Sequence, residues 1–131
     1  MGGDLHADKV ALAGRLLDIS ATLRPGEVTA ICGPNGAGKS SLLSCLAGLL
    51  APDGGQVALG GTLLTALPPR ERARAIGYLP QTAEAAWDIS VETLAGLGRI
   101  PWGDAAAGPV EAALEALQLW DLRAWPLSRL S

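Results

Sequence analysis

"GPNGAGKS", residues 33–40, places three glycines, one lysine and one serine in eight consecutive positions of a chain that is 49% hydrophobic. Lys39 is one of two lysines in the whole sequence, the other being Lys9. The most flexible residues and a rare positive charge are therefore concentrated in one short stretch. The segments on either side indicate what this stretch connects.

The flanking segments predict a strand before the stretch and a helix after it. "EVTAIC", residues 27–32, is rich in β-branched side chains and has no turn residue before Gly33, which predicts a short strand. "SLLSCLAGLL", residues 41–50, places Leu42, Leu46 and Leu49 or Leu50 on one helical face. We expect this helix to end at "APDGG", residues 51–55, because proline and glycine stop it.

A glycine-rich loop that opens a helix is suited to binding an anion. The first N–H groups of a helix have no partner within it, and the helix dipole adds positive potential at that end. Lys39 adds a full charge toward phosphate, and the Ser40 hydroxyl is placed to bind Mg²⁺, as in the Walker A pattern G-x-x-x-x-G-K-[ST]. The predicted nucleotide contacts are Gly33, Pro34, Asn35, Gly36, Ala37, Gly38, Lys39, Ser40 and Ser41.

Composition narrows the class of protein. The 131 residues suffice for one ordinary domain, and the net charge of −3 is scattered, so no basic stripe indicates nucleic acid. The longest apolar run, Leu42–Ala51, is too short to span a bilayer. Cys32 and Cys45 do not form a CxxC pair, so we expect two small buried thiols in a reducing compartment.

The run from Leu23 to Gly61 that contains the loop closely resembles the ATPase subunits of ABC transporters, and the resemblance extends over residues 12–131. It implies an α/β fold, a P-loop NTPase (ABC ATPase) core with N-terminal antiparallel strands and part of the helical subdomain, truncated. The implied domains are residues 1–82, with Walker A and Q-loop, and residues 83–131, an incomplete helical subdomain.

The same resemblance implies further site residues. "IGYLPQ", residues 76–81, is similar to the strand that leads into the Q-loop, with Gln81 as the catalytic glutamine and, with Ser40, a metal contact. Leu130 and Ser131 are similar to the first two residues of the signature motif, after which the Walker B aspartate and the catalytic glutamate would follow. The implied ligands are ATP and Mg²⁺. Residues 28–32 would then lack their flanking strands.

Three further helices are predicted from local patterns. "PPRERARA", residues 68–75, begins with proline, and "SVETLAGLG", residues 90–98, begins with Ser90 as N-cap. Residues 108–120 place Val110, Ala113, Leu114 and Leu117 on one apolar stripe. We expect the four tryptophans to pack in the core or at a subunit interface, and they are Trp87, Trp102, Trp120 and Trp125.

"ISVETLAGLGRIPW", residues 89–102, resembles the corresponding stretch of importers for iron–siderophore complexes, haem and cobalamin. The resemblance implies an ATP-hydrolysing subunit that binds a transmembrane permease and a second, identical ATPase subunit at the cytoplasmic face of the inner membrane. A substrate-binding protein would be an indirect partner, and nucleic acid would not be one.

Two alternatives remain open from the sequence. One is a nucleotide-binding fragment or paralogue that does not hydrolyse ATP, and the other is an ABC ATPase that works on DNA or the ribosome.

The sequence departs from the family at the residue that would contact the adenine base. The family's early aromatic residue, which stacks on adenine, should lie near Val10 or Ala11, yet no aromatic residue other than His6 precedes Tyr78.

Overall fold

The computed structural model describes residues 3–82, 85 and 87–130. The chain divides into two compact units, of which the first ends at Tyr78 and the second begins at Leu79. The domain boundary at residues 82 and 83 stays a prediction. Residue 83 and Ser131, the predicted second residue of the signature, lie outside the described residues.

The first unit is built on a four-stranded antiparallel sheet. The strands are β1 (Leu5–Leu12), β2 (Leu16–Leu23), β3 (Gly54–Leu59) and β4 (Thr62–Leu63), in the spatial order β2-β1-β3-β4. β1 is an interior strand, because Ala7 pairs with Ala21 of β2 on one side and with Val57 of β3 on the other. This confirms the predicted N-terminal antiparallel strands.

One helix, α1 (Lys39–Leu46), completes the core of the first unit. Its buried residues Leu42, Cys45 and Leu46 join a hydrophobic cluster with residues of the sheet. Burial of apolar surface of this kind is the main favourable term in folding. The remaining buried members of the cluster are Ala7, Val10, Leu16, Val57 and Leu64.

α1 ends earlier than the sequence predicts. The chain turns at Gly48, which has a φ of 70°. The Gly48 and Leu49 N–H groups donate to the carbonyls of Cys45 and Ser44 at 3.0 and 2.9 Å, which is the Schellman pattern of a helix end. The prediction that the helix continues to residue 50 is therefore wrong. Of the two leucines predicted as alternatives for the buried face, Leu49 is 65% exposed, whereas Leu50 packs against the hydrophobic cluster.

Neither of the predicted strands next to the candidate site forms. Residues 27–32 and 76–80 carry no strand assignment, and the Val28 side chain is fully exposed. A strand requires a neighbour to accept and donate its backbone hydrogen bonds. Within the described ranges no segment pairs with either stretch. The exposed apolar side chain at position 28 agrees with a segment that lacks flanking strands.

The remaining regular elements of the described chain are helices. α2 (Pro69–Ala75) belongs to the first unit and begins with the predicted proline. α3 (Val91–Leu97) and α4 (Ala107–Ala116) belong to the second unit, with 3₁₀ turns at Ile100–Trp102, Trp120–Leu122 and Leu127–Arg129. No helix in residues 3–82 or 87–130 has the length and apolarity needed to cross a membrane.

The ends of α3 and α4 test two predictions. Ser90 caps α3 as predicted, since its Oγ accepts a hydrogen bond from the Thr93 N–H at 3.2 Å. α4 buries Leu114 but ends at Ala116, and Gln118 turns the chain with a φ of 58°. Leu117 is consequently 69% exposed, so its predicted place on the buried stripe is wrong.

The second unit is closed by a clamp between residues 88–92 and 123–128. The Val91 and Glu92 N–H groups donate to the carbonyls of Trp125 and Arg123, and the Leu127 N–H donates to the Ile89 carbonyl. The Asp88 carboxylate accepts from the Ser128 N–H at 3.0 Å and from its Oγ at 2.8 Å. These bonds join residues 31 to 40 positions apart in sequence and fix the N-terminal end of α3.

The tryptophans and cysteines differ in part from expectation. Trp102, Trp120 and Trp125 each lie under an arginine guanidinium, at 4.4–4.7 Å from the ring centroid, and Trp87 is 76% exposed. None of the four belongs to the buried core, so the predicted core packing is wrong, and packing at a subunit interface stays a prediction. Cys45 is buried, and this burial, with the nearby Asp53 charge, raises the pKa of its thiol. Cys32 is exposed, so its predicted burial is wrong.

Candidate phosphate-binding loop

The glycine-rich loop opens α1 as the sequence predicts. Gly38 is the N-cap of the helix, and its carbonyl accepts the first helical hydrogen bond, from the Leu42 N–H at 2.8 Å. The N–H groups of residues 39–41 lie in the first turn, before any intrahelical acceptor is available to them. They are free to bind an anion from outside the helix.

Lys39 is held in place by its own loop. Its Nζ donates to the carbonyl oxygens of Gly33 and Pro34 at 2.6 and 2.7 Å. An ammonium group has three N–H donors, so one proton remains for an external acceptor. The loop therefore fixes the position of the charge before any ligand arrives, which reduces the entropy lost on binding.

Gly38 also fixes the loop against the sheet. Its φ of 86° lies in the left-handed region, and a Cβ at this position would stand 2.5 Å from the Arg15 carbonyl oxygen and 2.7 Å from Leu16 Cδ2. Glycine is required for both reasons, since a side chain would be strained and would collide with backbone. The loop consequently rests on the turn between β1 and β2.

The electrostatics of the helix end favour a bound anion. The first turn of α1 has no acidic side chain to neutralise the positive end of the helix dipole. Ser40 is exposed there and presents a hydroxyl oxygen. The described residues contain no group of three His, Cys, Asp or Glu side chains that could hold a metal.

Most of the predicted site residues lie in the first unit. Gly33 to Ser41 form one continuous loop and helix start within the first unit. Gln81 belongs to the second unit, where it lies exposed in a bend. Its contact with metal or water stays a prediction.

Sequence reasoning missed the turn formed by Ala13, Gly14 and Arg15. This turn supports the loop, because the Arg15 carbonyl and Leu16 pack against Gly38. Gly14, with a φ of 71°, was the available signal, since glycine between two β-prone runs indicates a hairpin.

This geometry defines a class of protein, the P-loop proteins, in which a glycine loop, a helix N-terminus and a lysine bind phosphate. The profile of the ABC transporter family matches residues 16–131. The chain therefore belongs to the ABC transporter family.

Two solved ATP-binding cassettes of ABC transporters, one nucleotide-free and one in the ADP conformation, superpose on this chain with a TM-score of 0.77. The nucleotide-free cassette is 27% identical to this chain, and the match covers 98% of this chain and 59% of the cassette. The cassette in the ADP conformation is 26% identical, and the match covers 100% of this chain and 60% of the cassette. The predicted fold class is confirmed.

Curated relatives share a higher sequence identity with this chain than these two solved structures do. The hemin import ATP-binding protein HmuV of Pseudomonas putida is 48% identical over 110 residues, which cover 82% of this chain and 43% of the relative. The protein of the same name in Myxococcus xanthus is 45% identical over 113 residues, which cover 84% of this chain and 42% of the relative. The chain thus spans less than half the length of the curated relatives it matches.

Proposed function

We propose that the chain is the nucleotide-binding part of an ATP-hydrolysing subunit of an ABC importer. The observation that carries the proposal is the Lys39 Nζ, held by two loop carbonyls at the N-terminal end of α1. A positive charge, unpaired amides and a helix dipole converge there, and phosphoryl transfer depends mainly on such positioning and charge neutralisation.

The chain's own residues would act on the triphosphate in distinct ways. The amides of residues 39–41 donate to phosphate oxygens, and the remaining Lys39 proton adds a charge-assisted hydrogen bond. The Ser40 hydroxyl would hold Mg²⁺, which neutralises phosphate charge when bound. Gln81 would orient the metal or the attacking water. The glutamate that acts as base is expected from residues beyond these 131.

Haem is the favoured cargo of the importer. The relatives that support this are named for hemin import and share up to 49% identity with the chain. Residues 89–102 resemble the wider group of importers for iron–siderophore complexes, haem and cobalamin. The cargo would be bound by other subunits, so no residue of this chain is assigned to it.

The exposed apolar residues of the second unit support a permease as partner. Leu97 and Trp102 are 49% and 40% exposed, on α3 and on the turn that follows it. We propose that they dock on a transmembrane permease at the cytoplasmic face of the inner membrane. A second copy of the subunit would complete the catalytic site, and a substrate-binding protein would act only through the permease.

Hydrolysis is tested by phosphate release from the full-length protein and from its Lys39→Ala variant. We expect turnover in the full-length protein and its loss in the variant. Residues 1–131 alone should be poorly soluble, bind MgATP weakly and show no turnover above background. Turnover by the 131-residue chain that Lys39→Ala abolishes would show that it already contains a complete catalytic set.

The docking surface is tested by co-purification with the permease. Leu97→Glu and Trp102→Glu in the full-length protein should reduce complex formation, because a buried charge opposes an apolar interface. Leu117→Glu is the control, since Leu117 is an apolar residue at 69% exposure, more exposed than Leu97 or Trp102, and lies at the end of α4. Unchanged complex formation in the first two variants would place the docking surface elsewhere.

A further inference from the structure

A nucleotide base can be held by a planar side chain, and the chain has no aromatic residue near Val10 or Ala11, where the resemblance to ABC ATPases implies one. Val10 is fully buried in the core and cannot reach a ligand, and Ala11 has no planar group. A base outside the phosphate loop would meet the surface that borders the loop. The contacts of Gly38 identify that surface as the turn between β1 and β2.

This turn is held rigidly enough to position a side chain. The Arg15 N–H donates to the Leu12 carbonyl at 2.9 Å, which closes the hairpin. The Ala13 N–H donates to the Asp53 carboxylate at 2.8 Å, and the Asp53 N–H donates in turn to the Ala11 carbonyl at 2.9 Å. With Gly38 packed against the Arg15 carbonyl, the turn is fixed to both the sheet and the loop.

The turn itself contains no aromatic ring, and His6 lies away from it. His6 donates to or accepts from Thr22 Oγ1 at 2.8 Å near the opposite end of β1. Six residues separate it from the end of that strand, a distance of about 20 Å in extended chain. Tyr78 belongs to the extended stretch after α2 rather than to the turn. Arg15 is thus the planar side chain of the turn itself.

The Arg15 guanidinium is available for a ligand. Arg15 is exposed, and in residues 3–82 no carboxylate forms an ion pair with it. A guanidinium is planar, weakly hydrated and stacks on aromatic faces, including those of nucleic-acid bases. We propose that Arg15 stacks on the purine base of the bound nucleoside triphosphate. This inference rests on the proposed nucleotide-binding function of the loop.

Stacking by arginine has a consequence for selectivity. A guanidinium plane contacts the face of a base and does not read its edge, so adenine and guanine are both accepted. ATP and GTP should therefore bind with affinities within a few-fold of each other.

The test distinguishes a contact with the nucleotide base from a contact with the phosphates. Dissociation constants for MgATP, MgGTP and inorganic tripolyphosphate are measured by calorimetry on the full-length protein and on Arg15→Ala, Arg15→Lys and Arg15→Tyr. Arg24→Ala is the matched control, because Arg24 is an exposed arginine beyond the other end of β2. Arg15→Ala should weaken both nucleotides about two- to five-fold, as expected for an exposed cation–π contact, and leave tripolyphosphate unchanged.

The other variants distinguish stacking from simple charge. Arg15→Tyr should restore nucleotide affinity, whereas Arg15→Lys should behave like Arg15→Ala, because lysine keeps the charge and loses the plane. An equal loss for tripolyphosphate that Arg15→Lys rescues would overturn the proposal in favour of a phosphate contact. Unchanged nucleotide affinity in Arg15→Ala would also overturn it. Failure of the phosphate site itself would be seen separately, as unchanged tripolyphosphate affinity in Lys39→Ala.

Discussion

The two units of the chain are stabilised by different means. The first unit buries eight residues in one cluster formed by the sheet and α1. In the described part of the second unit, Val91 and Leu114 are the buried apolar residues. That unit relies on the clamp of residues 88–92 with 123–128, on the Ser90 cap and on arginine–tryptophan stacks. The first unit thus has a hydrophobic core next to the phosphate-binding loop, whereas the second consists of short helices held together mainly by hydrogen bonds.

The difference shows how far local sequence determines structure in each unit. In the first unit, β-prone residues form strands only where a neighbour pairs with them, so Val57 is buried and Val28 is exposed. In the second unit, caps and turns determine the ends of helices with little support from burial. Substitutions in the sheet of the first unit should therefore act through packing, and those at helix ends in either unit should act through hydrogen bonds and backbone conformation.

The largest expected effect comes from the matched pair Val57→Thr and Val28→Thr. Threonine has nearly the shape of valine, so the change mainly adds a hydroxyl. Burying it at position 57 should lower the free energy of unfolding by about 1–3 kcal/mol. In the 131-residue chain, where residues 27–32 have no paired strand, the same change at position 28 should stay within about 0.5 kcal/mol. Amide hydrogen exchange in β1 and β3 measures both, and equal effects would remove the contrast between paired and unpaired segments.

A smaller loss is expected from Gly48→Ala at the end of α1. The position has a φ of 70°, and the new Cβ would stand 2.8 Å from Arg72 Cδ. Backbone strain and displacement of that side chain should together cost about 1–2 kcal/mol. Thermal unfolding followed by far-UV circular dichroism measures the loss. An unchanged transition would mean that the turn does not need glycine.

At the equivalent turn in the second unit, we expect a substitution to raise the free energy of unfolding rather than lower it. Gln118 occupies the same left-handed position at the end of α4, with the Leu119 N–H donating to the Leu114 carbonyl at 2.7 Å. Gln118→Gly should relieve the strain and raise the free energy of unfolding by about 0.5–1 kcal/mol. All four tryptophans follow residue 86, so tryptophan fluorescence reports on this unit. A loss of stability would show that Gln118 makes a stabilising contact.

The smallest effect concerns the Asp88 clamp and pH. The Asp88 carboxylate accepts hydrogen bonds from Ser128, and these lower the pKa of Asp88 below its ordinary value of 3.8. The bond from the Ser128 backbone N–H has the larger effect, and the bond from its side chain has the smaller one. The bond therefore stabilises the folded chain above that value, and the stabilisation is lost as the pH falls through the lowered pKa. Asp88→Asn should flatten the fall in stability between about pH 5 and pH 2. Asp121→Asn is the control in the same unit, and an equal flattening there would contradict the assignment.

Much of the candidate site could be predicted from the sequence because its physics is local. The glycine positions, Lys39 and the start of α1 all depend on residues within a short span, and Ser90 caps α3 for the same reason. The ends of α1 and α4 were missed where single residues, Gly48 and Gln118, adopt left-handed conformations. A leucine pattern alone does not reveal such a turn.

The rest depends on contacts distant in sequence. The strand predicted at residues 27–32 requires a partner that local residues cannot supply. The bond of Asp88 to Ser128 joins positions 40 residues apart, and the packing of Gly38 on Arg15 likewise joins the loop to a separate hairpin. No periodicity or motif reports on such pairs.

The central claim is that the loop binds triphosphate through Lys39. Tripolyphosphate and MgATP titrations of the full-length protein, Lys39→Ala and Lys9→Ala test it most directly, since these are the two lysines of the chain. Removing the charge-assisted bond should cost about 1.5–3 kcal/mol. Lys39→Ala should therefore lower both affinities at least about ten-fold, and Lys9→Ala should leave them unchanged. Equal affinities in Lys39→Ala and the unaltered protein would contradict the account.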